Sequence, residues 1–352
     1  MTAPIWQGRR VLLTGHTGFK GGWLALWLKG LGAQLTGLAL PPPTNPSLFE
    51  MARVAEGMNS HFQDIRDAAG IAALMAKTQP EVVFHLAAQP LVRRSYADPL
   101  ETYSTNVMGT ANLLEAVRTA SPATRAIVVV TTDKCYENRE WVWGYRESDP
   151  LGGHDPYSAS KAATELVAAS YAKSYFSGPG APALATARAG NVIGGGDWAA
   201  DRLLPDLIRA CESGQDLSIR YPQAIRPWQH VLDPLAGYLR LAERLLEQGH
   251  AFAGAWNFGP AEGNLKPVSW IADHFLAAWH TSTAWQRVEG AELHEAGILK
   301  LDWSKAAHLL GWRPSMSIET AIERVVEWHK ACIADQDMRQ FSLAQIAAYR
   351  PL

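Results

Sequence analysis

Val11-Leu12-Leu13-Thr14-Gly15-His16-Thr17-Gly18-Phe19-Lys20-Gly21 runs from an apolar stretch through a glycine turn into a helical pattern. The apolar stretch shows no polar alternation, which marks a strand buried on both faces. Beyond the turn, Trp23, Leu24, Trp27, Leu28 and Leu31 recur at helical spacing and predict one apolar side. Glycines at 15, 18 and 21 give the spacing G-x-x-G-x-x-G. Such a turn is tight, lets the backbone approach a pyrophosphate, and points free N–H groups of a helix N-terminus at the anion. The stretch from Gly15 to Gly21, with His16, Thr17, Gly18, Phe19 and Lys20 between, is therefore read as a phosphate cradle. Lys20 either adds a charge to the phosphates or opens the helix in solvent, and the sequence does not divide these readings.

Outward from this unit, short strand candidates alternate with helical stretches. Strands are predicted at Gln34 to Leu40, Glu81 to Ala87, Ala126 to Thr132 and Ala183 to Ala189, and helices at Ala68–Lys77, Leu100–Ala120 and Ser158–Tyr175. Val/Leu/Ala-rich strands alternating with helices imply an α/β fold with a parallel sheet covered on both faces. After residue 190 the rhythm breaks at Gly194-Gly195-Gly196, and nine of the fourteen tryptophans follow, from Trp198 onward. Two domains are expected: residues 1–190 for a dinucleotide, and 191–352 mainly for substrate, with some chain returning to the sheet. The tryptophans are read as core and domain-interface residues.

Composition narrows the function. The chain has 352 residues, 47% apolar and 19% charged, with a formal net charge of −2, so it lacks the basic surplus of a non-specific nucleic-acid binder. Cys135, Cys211 and Cys332 fall at spacings that suit neither a disulfide framework nor zinc, and the histidines show no ligand spacing, so no metal is expected. Neither a signal-peptide pattern nor a membrane-spanning apolar run is read, and a cytoplasmic location is the expectation.

Tyr157 and Lys161 stand four residues apart in Asp155-Pro156-Tyr157-Ser158-Ala159-Ser160-Lys161, with Pro156 suited to a first helical turn. They should share one helix face. An ammonium beside a phenol lowers its pKa, which would let Tyr157 exchange protons with a sugar alcohol near neutral pH. The strand region from Ala126 ends Val130-Thr131-Thr132-Asp133-Lys134, at the carboxyl edge where parallel sheets bind ligands.

The glycine spacing, His85-Leu86-Ala87-Ala88, Asn106, Thr132, and Tyr157 with Lys161 together resemble the extended short-chain dehydrogenase/reductase family over nearly the full chain. Longer strings narrow the resemblance: residues 15–23, Thr132-Asp133-Lys134-Cys135-Tyr136, residues 188–198 and 224–231, and Trp256-Asn257-Phe258-Gly259-Pro260. They are similar to the nucleotide-sugar 4,6-dehydratases of the CDP-glucose branch. The resemblance implies a Rossmann-type, doubly wound parallel sheet with a smaller mixed C-terminal substrate domain, NAD as cofactor, and CDP-glucose as substrate. Besides the glycine turn it implies cofactor contacts from Asp64, Ile65, Leu86, Ala87, Ala88, Asn106, Tyr157 and Lys161. It implies substrate contacts from Gln89, Asn191, Arg202, Leu203, Arg226 and His230. The implied reaction has three steps on one bound sugar. Tyr157 takes the carbon-4 hydroxyl proton as hydride passes to NAD+; water leaves across carbons 5 and 6; hydride returns to carbon 6. The product would feed deoxysugars of surface polysaccharide. A homodimer or dimer of dimers, through four helices drawn from Leu100–Ala120 and Ser158–Tyr175, is implied as well.

Elimination needs an acid for the 6-hydroxyl and a base for the carbon-5 proton. The related dTDP-glucose enzymes carry Asp-Glu where this chain has Asp133-Lys134. A lysine base must be neutral, against a reference pKa of about 10.4. Burial, Lys161 and a cationic nicotinamide lower it, while an ionised Asp133 raises it. Lys134 is assigned as base and protonated Asp133 as acid, with the reverse assignment open. An epimerase needs no such pair; a dehydratase for another nucleotide sugar is the nearer rival. A non-catalytic, cofactor-sensing protein would have no need of Tyr157 and Lys161.

Other candidates are less specific. The fork of Arg226 suits a diphosphate, whereas for Arg188 and Arg202 a surface salt bridge serves as well. Leu203 and residues 217–221 are expected along a nucleotide pocket. The second strand ends Gly37-Leu38-Ala39-Leu40-Pro41, with neither an acid for a ribose hydroxyl nor an arginine for a 2′-phosphate, so it does not separate NAD from NADP. Asp64 is an adenine contact or a helix N-cap. Cys135 is expected to pack behind the site.

Overall fold

Seven strands form one sheet in which every pairing is parallel: β1 (Arg10–Thr14), β2 (Gln34–Ala39), β3 (Asn59–Phe62), β4 (Val82–His85), β5 (Ala126–Val130), β6 (Ala183–Ala189) and a seventh, Gly254–Phe258. The order across the sheet is β3-β2-β1-β4-β5-β6 and then Gly254–Phe258. This computed structural model describes residues 3–288 and 297–350. The doubly wound α/β class read from the sequence is the one observed. Val11 and Leu13 pack on one face with Trp23, Leu28 and Leu235, while Leu12 packs on the other with Val83, Ile127 and Leu113. Both faces are covered, which is why these strands carry no polar alternation.

Two strands lay outside the sequence reading. Asn59–Phe62 is an edge strand with no buried residue, so its polar run carries no apolar signal. Gly254–Phe258 pairs with β6 from far along the chain, with Trp256, Asn257 and Phe258 buried. The helix after β1, Phe19–Gly30, also differs from expectation. It is buried without a break from Gly21 to Leu28, not along one side. It lies between the sheet and later helices: Trp23 Nε1 donates to the Gly195 carbonyl at 2.9 Å, and the Trp27 ring stands 5.6 Å edge-on to Tyr349. The stretch expected as one helix over 100–120 is continuous but changes pitch, from Pro99–Tyr103 through a π-turn, Ser104–Met108, to Gly109–Ala120.

Later residues divide between two tasks. The helix Leu232–Gln248 packs on the sheet, whereas Leu204, Leu207, Ile208, Trp228, Phe275, Ile322 and Val325 build a separate core. That core is bordered by three two-stranded pairings, Val192–Ile193 with Gln229–His230, Ile225–Pro227 with Leu265–Pro267, and Leu217–Ile219 with Trp285–Arg287. Trp228, Trp256, Trp312 and Trp328 are buried, in keeping with core roles. Among the described residues no helix is long and apolar enough to cross a membrane. Strand order reverses between β1 and β4, which opens a crevice at their carboxyl ends.

Candidate active site

A cavity of about 2080 Å³ fills that crevice, running from the glycine turn to residues 217–221. Its first wall is the turn itself. Gly15 has φ +79°, and a Cβ there would come within 2.8 Å of the Ala87 nitrogen; at Gly21 it would run into the Gly15 carbonyl. Gly18 has more room and acts as N-cap of the Phe19–Gly30 helix without any side-chain cap. The first N–H groups of the helix are therefore left for an anion. Thr17, Gly18, Phe19, Lys20 and Gly21 line the cavity, but His16 does not. Its ring is fully buried, 2.7 Å from Ser60 Oγ and edge-on to Phe49. The His16 side chain thus leaves the turn on the side away from the cavity, and only its backbone belongs to the cradle.

The switch point is locked by a chain of hydrogen bonds. Thr14 Oγ1 accepts from the Leu86 and Ala87 nitrogens at 3.1 Å, so its own proton goes to His85 Nδ1 at 2.7 Å. His85 Nε2 then donates to Thr110 Oγ1 at 3.0 Å, and Thr110 donates to the Asn106 carbonyl at 2.7 Å. Burial drops the His85 pKa to about 3, so the ring is neutral. Leu86, Ala87 and Ala88 are thereby presented along the cavity. Asn106, in the π-turn, spends its amide on protein: it accepts from the Gln89 nitrogen at 2.8 Å and donates to the Gln89 carbonyl and to Ser160 Oγ. It ties the β4 loop to the Tyr157 helix from behind the wall and is absent from the lining. Asp64 and Ile65 do line the cavity. Asp64 accepts from Arg66 through both oxygens, while Asp67 caps the next helix by accepting from Gly70 N. The cap alternative for Asp64 thus belongs to Asp67.

The catalytic wall is built by the end of β5 and the helix Pro156–Ser174. Asp155 caps that helix by accepting from Ser158 N at 2.9 Å, and Pro156 occupies its first turn. Tyr157 and Lys161 share its cavity face. The expected lowering of the phenol is not found. Burial pushes Tyr157 up to about 12, and the influences that oppose this are the Thr132 hydroxyl and the Arg202 guanidinium. Lys161 is instead drawn to the Val130 carbonyl at 3.3 Å, with Glu165 facing it, and burial brings it down to about 8.

Asp133 is 2% exposed; Thr132 Oγ1 donates to its Oδ1 at 2.9 Å, and its Oδ2 has no partner. Burial raises its pKa against the pull of Lys134, the Thr132 hydroxyl and Arg226, favouring the protonated acid. Lys134 is half-buried in the lining and forms no salt bridge among the described residues. Cys135 is wholly buried with its thiol pKa raised by burial, a packing residue.

Of the substrate candidates, Gln89, Asn191, Arg202, Leu203, Arg226 and residues 217–221 all line the cavity. The Gln89 amide is engaged by Leu91 and Thr102 and its backbone N–H and carbonyl by Asn106, so its polar groups are held within the protein. Arg202 pairs with Asp197 at 2.8 Å. Arg226 donates to the Ile225 carbonyl, and its charge helps to oppose the rise in the Asp133 pKa. His230 is not in the site: it is fully buried, accepts from Leu232 N at 3.3 Å and faces Trp23. Arg188 is also elsewhere, buried against Glu165 rather than in a surface salt bridge.

Sequence reasoning missed the loop at 43–47, which walls the cavity beyond β2, and the Arg93–Asp201 ion pair at its rim, 3.0 Å long. Position just past a strand's carboxyl end was the available signal for the loop. Tyr238, beneath Lys20, has helical spacing like any core aromatic, and no pattern sets it apart. Among the described residues no group of three His, Cys, Asp or Glu side chains is arranged for a metal.

Comparison with known proteins agrees with this geometry. The chain is 51% identical over 98% of its length to the CDP-glucose 4,6-dehydratase of Salmonella typhimurium, 97% of which is covered. It is 29% identical to a dTDP-glucose 4,6-dehydratase of Xanthomonas campestris, over 90% of this chain and 92% of that one. The crystal structure of the Streptomyces venezuelae dTDP-glucose 4,6-dehydratase with NAD superposes with a TM-score of 0.79 at 24% identity, covering 93% of this chain and 98% of that one, and so shares the fold. The model of the NAD dependent epimerase/dehydratase family matches residues 11–258, a span that takes in the cradle, the Tyr157–Lys161 helix and the seven strands apart from Arg10. The chain belongs to that family.

Proposed function

We propose that the chain converts CDP-D-glucose to CDP-4-dehydro-6-deoxy-D-glucose and water, as an NAD-dependent hydro-lyase. The observation that carries this reading is a buried carboxyl, Asp133, with one free oxygen, followed by Lys134 in the cavity that also holds Tyr157. An epimerase has no use for an acid and a base beyond Tyr157, and the 51% identity over 98% of the chain supports the CDP-sugar.

The cradle fits a dinucleotide: Gly15 and Gly21 leave no room for side chains, and the helix N-terminus is uncapped. Bound NAD supplies an acceptor and then a donor for two electrons and a proton. The chain's residues do the rest. Tyr157 holds the carbon-4 hydroxyl and takes its proton, which requires that cations at the site offset the burial of the phenol. The resulting ketone acidifies the carbon-5 proton, which Lys134 removes. Asp133, whose proton burial holds more tightly than an ordinary carboxylate would, hands it to the departing 6-hydroxyl. Thr132 orients Asp133 through Oδ1 and leaves Oδ2 without a partner. Asn191, Arg202, Leu203 and residues 217–221 are proposed to hold the nucleotide, within a substrate region drawn mainly from residues 191–352.

The protein is proposed to act in the cytoplasm as a homodimer or dimer of dimers. Exposed Leu100, Tyr103, Met108 and Leu166, on the helices expected at the interface, support that assembly. The test is a panel of nucleoside-diphosphate glucoses incubated with the protein and NAD+ and scored for alkali-induced 4-keto absorbance. CDP-glucose should give the signal. A signal only from another nucleotide sugar contradicts the substrate, and none at all contradicts the activity.

A further inference from the structure

Lys20 leaves the glycine turn toward the protein's interior. Its ammonium stands 5.9 Å from the centroid of the Tyr238 ring, which is 0% exposed and carried on the Leu232–Gln248 helix. The Tyr238 hydroxyl has no hydrogen-bond partner, and neither has Asp133 Oδ2; burial first, then charge on Tyr157 or Asp133, raises the Tyr238 phenol, which lies behind the cavity lining against Lys20. The groups that face Lys20 come from four elements: Arg202 from the loop before the Leu203–Ser213 helix, Lys161 from the Pro156–Ser174 helix, Asp133 from the end of β5, and Tyr238 below. Burial first, then the like charges of Arg202 and Lys161, brings Lys20 down to about 7.

This place is wrong for a plain phosphate contact. The pyrophosphate belongs at the uncapped N–H groups that begin the helix. The oxidised sugar carbon belongs at Tyr157. Lys20 lines the same cavity as the turn and Tyr157, so a nicotinamide joining those two points would lie beside it. We propose that Lys20, seated on the Tyr238 ring, is a charge beside the nicotinamide that sets the balance between its oxidised and reduced forms. The inference rests on the cofactor reading above. The oxidised ring is cationic and the reduced ring neutral, so a neighbouring ammonium disfavours the first relative to the second. When hydride passes from sugar carbon 4 to the ring, the hydroxyl proton goes to Tyr157 and the ring's positive charge disappears, which relieves the repulsion from Lys20. A neutral Lys20 favours the return of hydride to carbon 6.

The test needs no sugar. Dissociation constants for NAD+ and for NADH are measured by isothermal titration calorimetry on the full chain, on Lys20→Met and on Lys20→Arg. In Lys20→Met the ratio of the NAD+ constant to the NADH constant should drop by about tenfold, which for two electrons is about 30 mV. The wild-type ratio should fall as pH rises through the Lys20 pKa of about 7. Lys20→Arg should keep the acid-side ratio at all pH values. Tyr238→Leu, which removes the seat and keeps the lysine, should move the ratio in the same direction as Lys20→Met. An unchanged ratio in both Lys20→Met and Tyr238→Leu overturns the proposal, including the case in which Lys20→Met weakens both forms equally. Failure of the wild type to bind either form contradicts the cofactor reading itself, and this inference with it.

Discussion

Arg188 and Glu165 form an ion pair of 2.7 Å in which each side chain is 3% exposed, directly behind the helix turn that carries Lys161. Glu165 also accepts from Thr131 and Thr186, and Arg188 donates to Tyr136, whose hydroxyl donates to Asn257. The network joins β5, β6 and the Gly254–Phe258 strand to the catalytic helix. A buried pair adds little over apolar packing, but removing one partner strands the other charge. Glu165→Gln should destabilise the fold by about 3–5 kcal/mol in urea unfolding. A loss under about 1 kcal/mol, the range of a surface pair, would contradict this picture.

Asp133 carries a function that works against stability. Its pKa is raised by burial, so the folded state holds the proton more tightly than the unfolded chain does. As pH rises from the ordinary carboxylate range through the raised value, the unfolded chain sheds its proton first and stability falls. Asp133→Asn keeps an acceptor for Thr132 and removes that term. The variant should melt higher than wild type at neutral pH, the gap closing toward about pH 4, while turnover falls by about 10²–10⁴ through loss of the acid. Equal melting at neutral pH would show that Asp133 is not strained by burial.

Lys134→Met should bind CDP-glucose and still oxidise it, yet lose exchange of the carbon-5 proton with deuterated solvent. Proton magnetic resonance of the sugar reads this directly. Full exchange in the variant would take Lys134 out of the base role and pass it to Asp133.

Much of this was legible in the chain and some was not. Residues 10–21 announced strand, turn and helix, and β6 was read at its observed limits, because buried parallel strands and tight turns leave local signals. Asn59–Phe62 and Gly254–Phe258 escaped because an edge strand needs no apolar run, and the latter is defined by its pairing with distant β6. Motif spacing brought Tyr157, Lys161 and Asp133 to one cavity. It does not fix where a side chain points. His16 and His230 turn into the core, Asn106 into its network and Lys20 into the site, and each outcome depends on neighbours remote in sequence. The Tyr157–Lys161 spacing likewise says nothing of Glu165 and the Val130 carbonyl, which draw the ammonium aside.

Four buried histidines should make the fold acid-sensitive. Burial lowers His16 to about 4 and His85, His230 and His329 to about 3. The unfolded chain therefore takes up protons first as pH falls below the ordinary histidine value of about 6.5. Each histidine removes up to about 1.4 kcal/mol per pH unit in that window. Urea unfolding at a series of pH values should show the decline, and His329→Gln should lessen its slope by one histidine's share. A slope unaltered in that variant would mean His329 is protonated in the fold.

The central claim is that the hydrogen taken from carbon 4 is the one returned to carbon 6 of the same sugar. CDP-glucose carrying deuterium at carbon 4 tests it most directly, with the product's methyl group examined by mass spectrometry and magnetic resonance. One deuterium is expected in that methyl group, in ordinary water and with unlabelled NAD+ in excess. A methyl group with no deuterium, its hydrogens drawn from solvent or from the free cofactor pool, would contradict it.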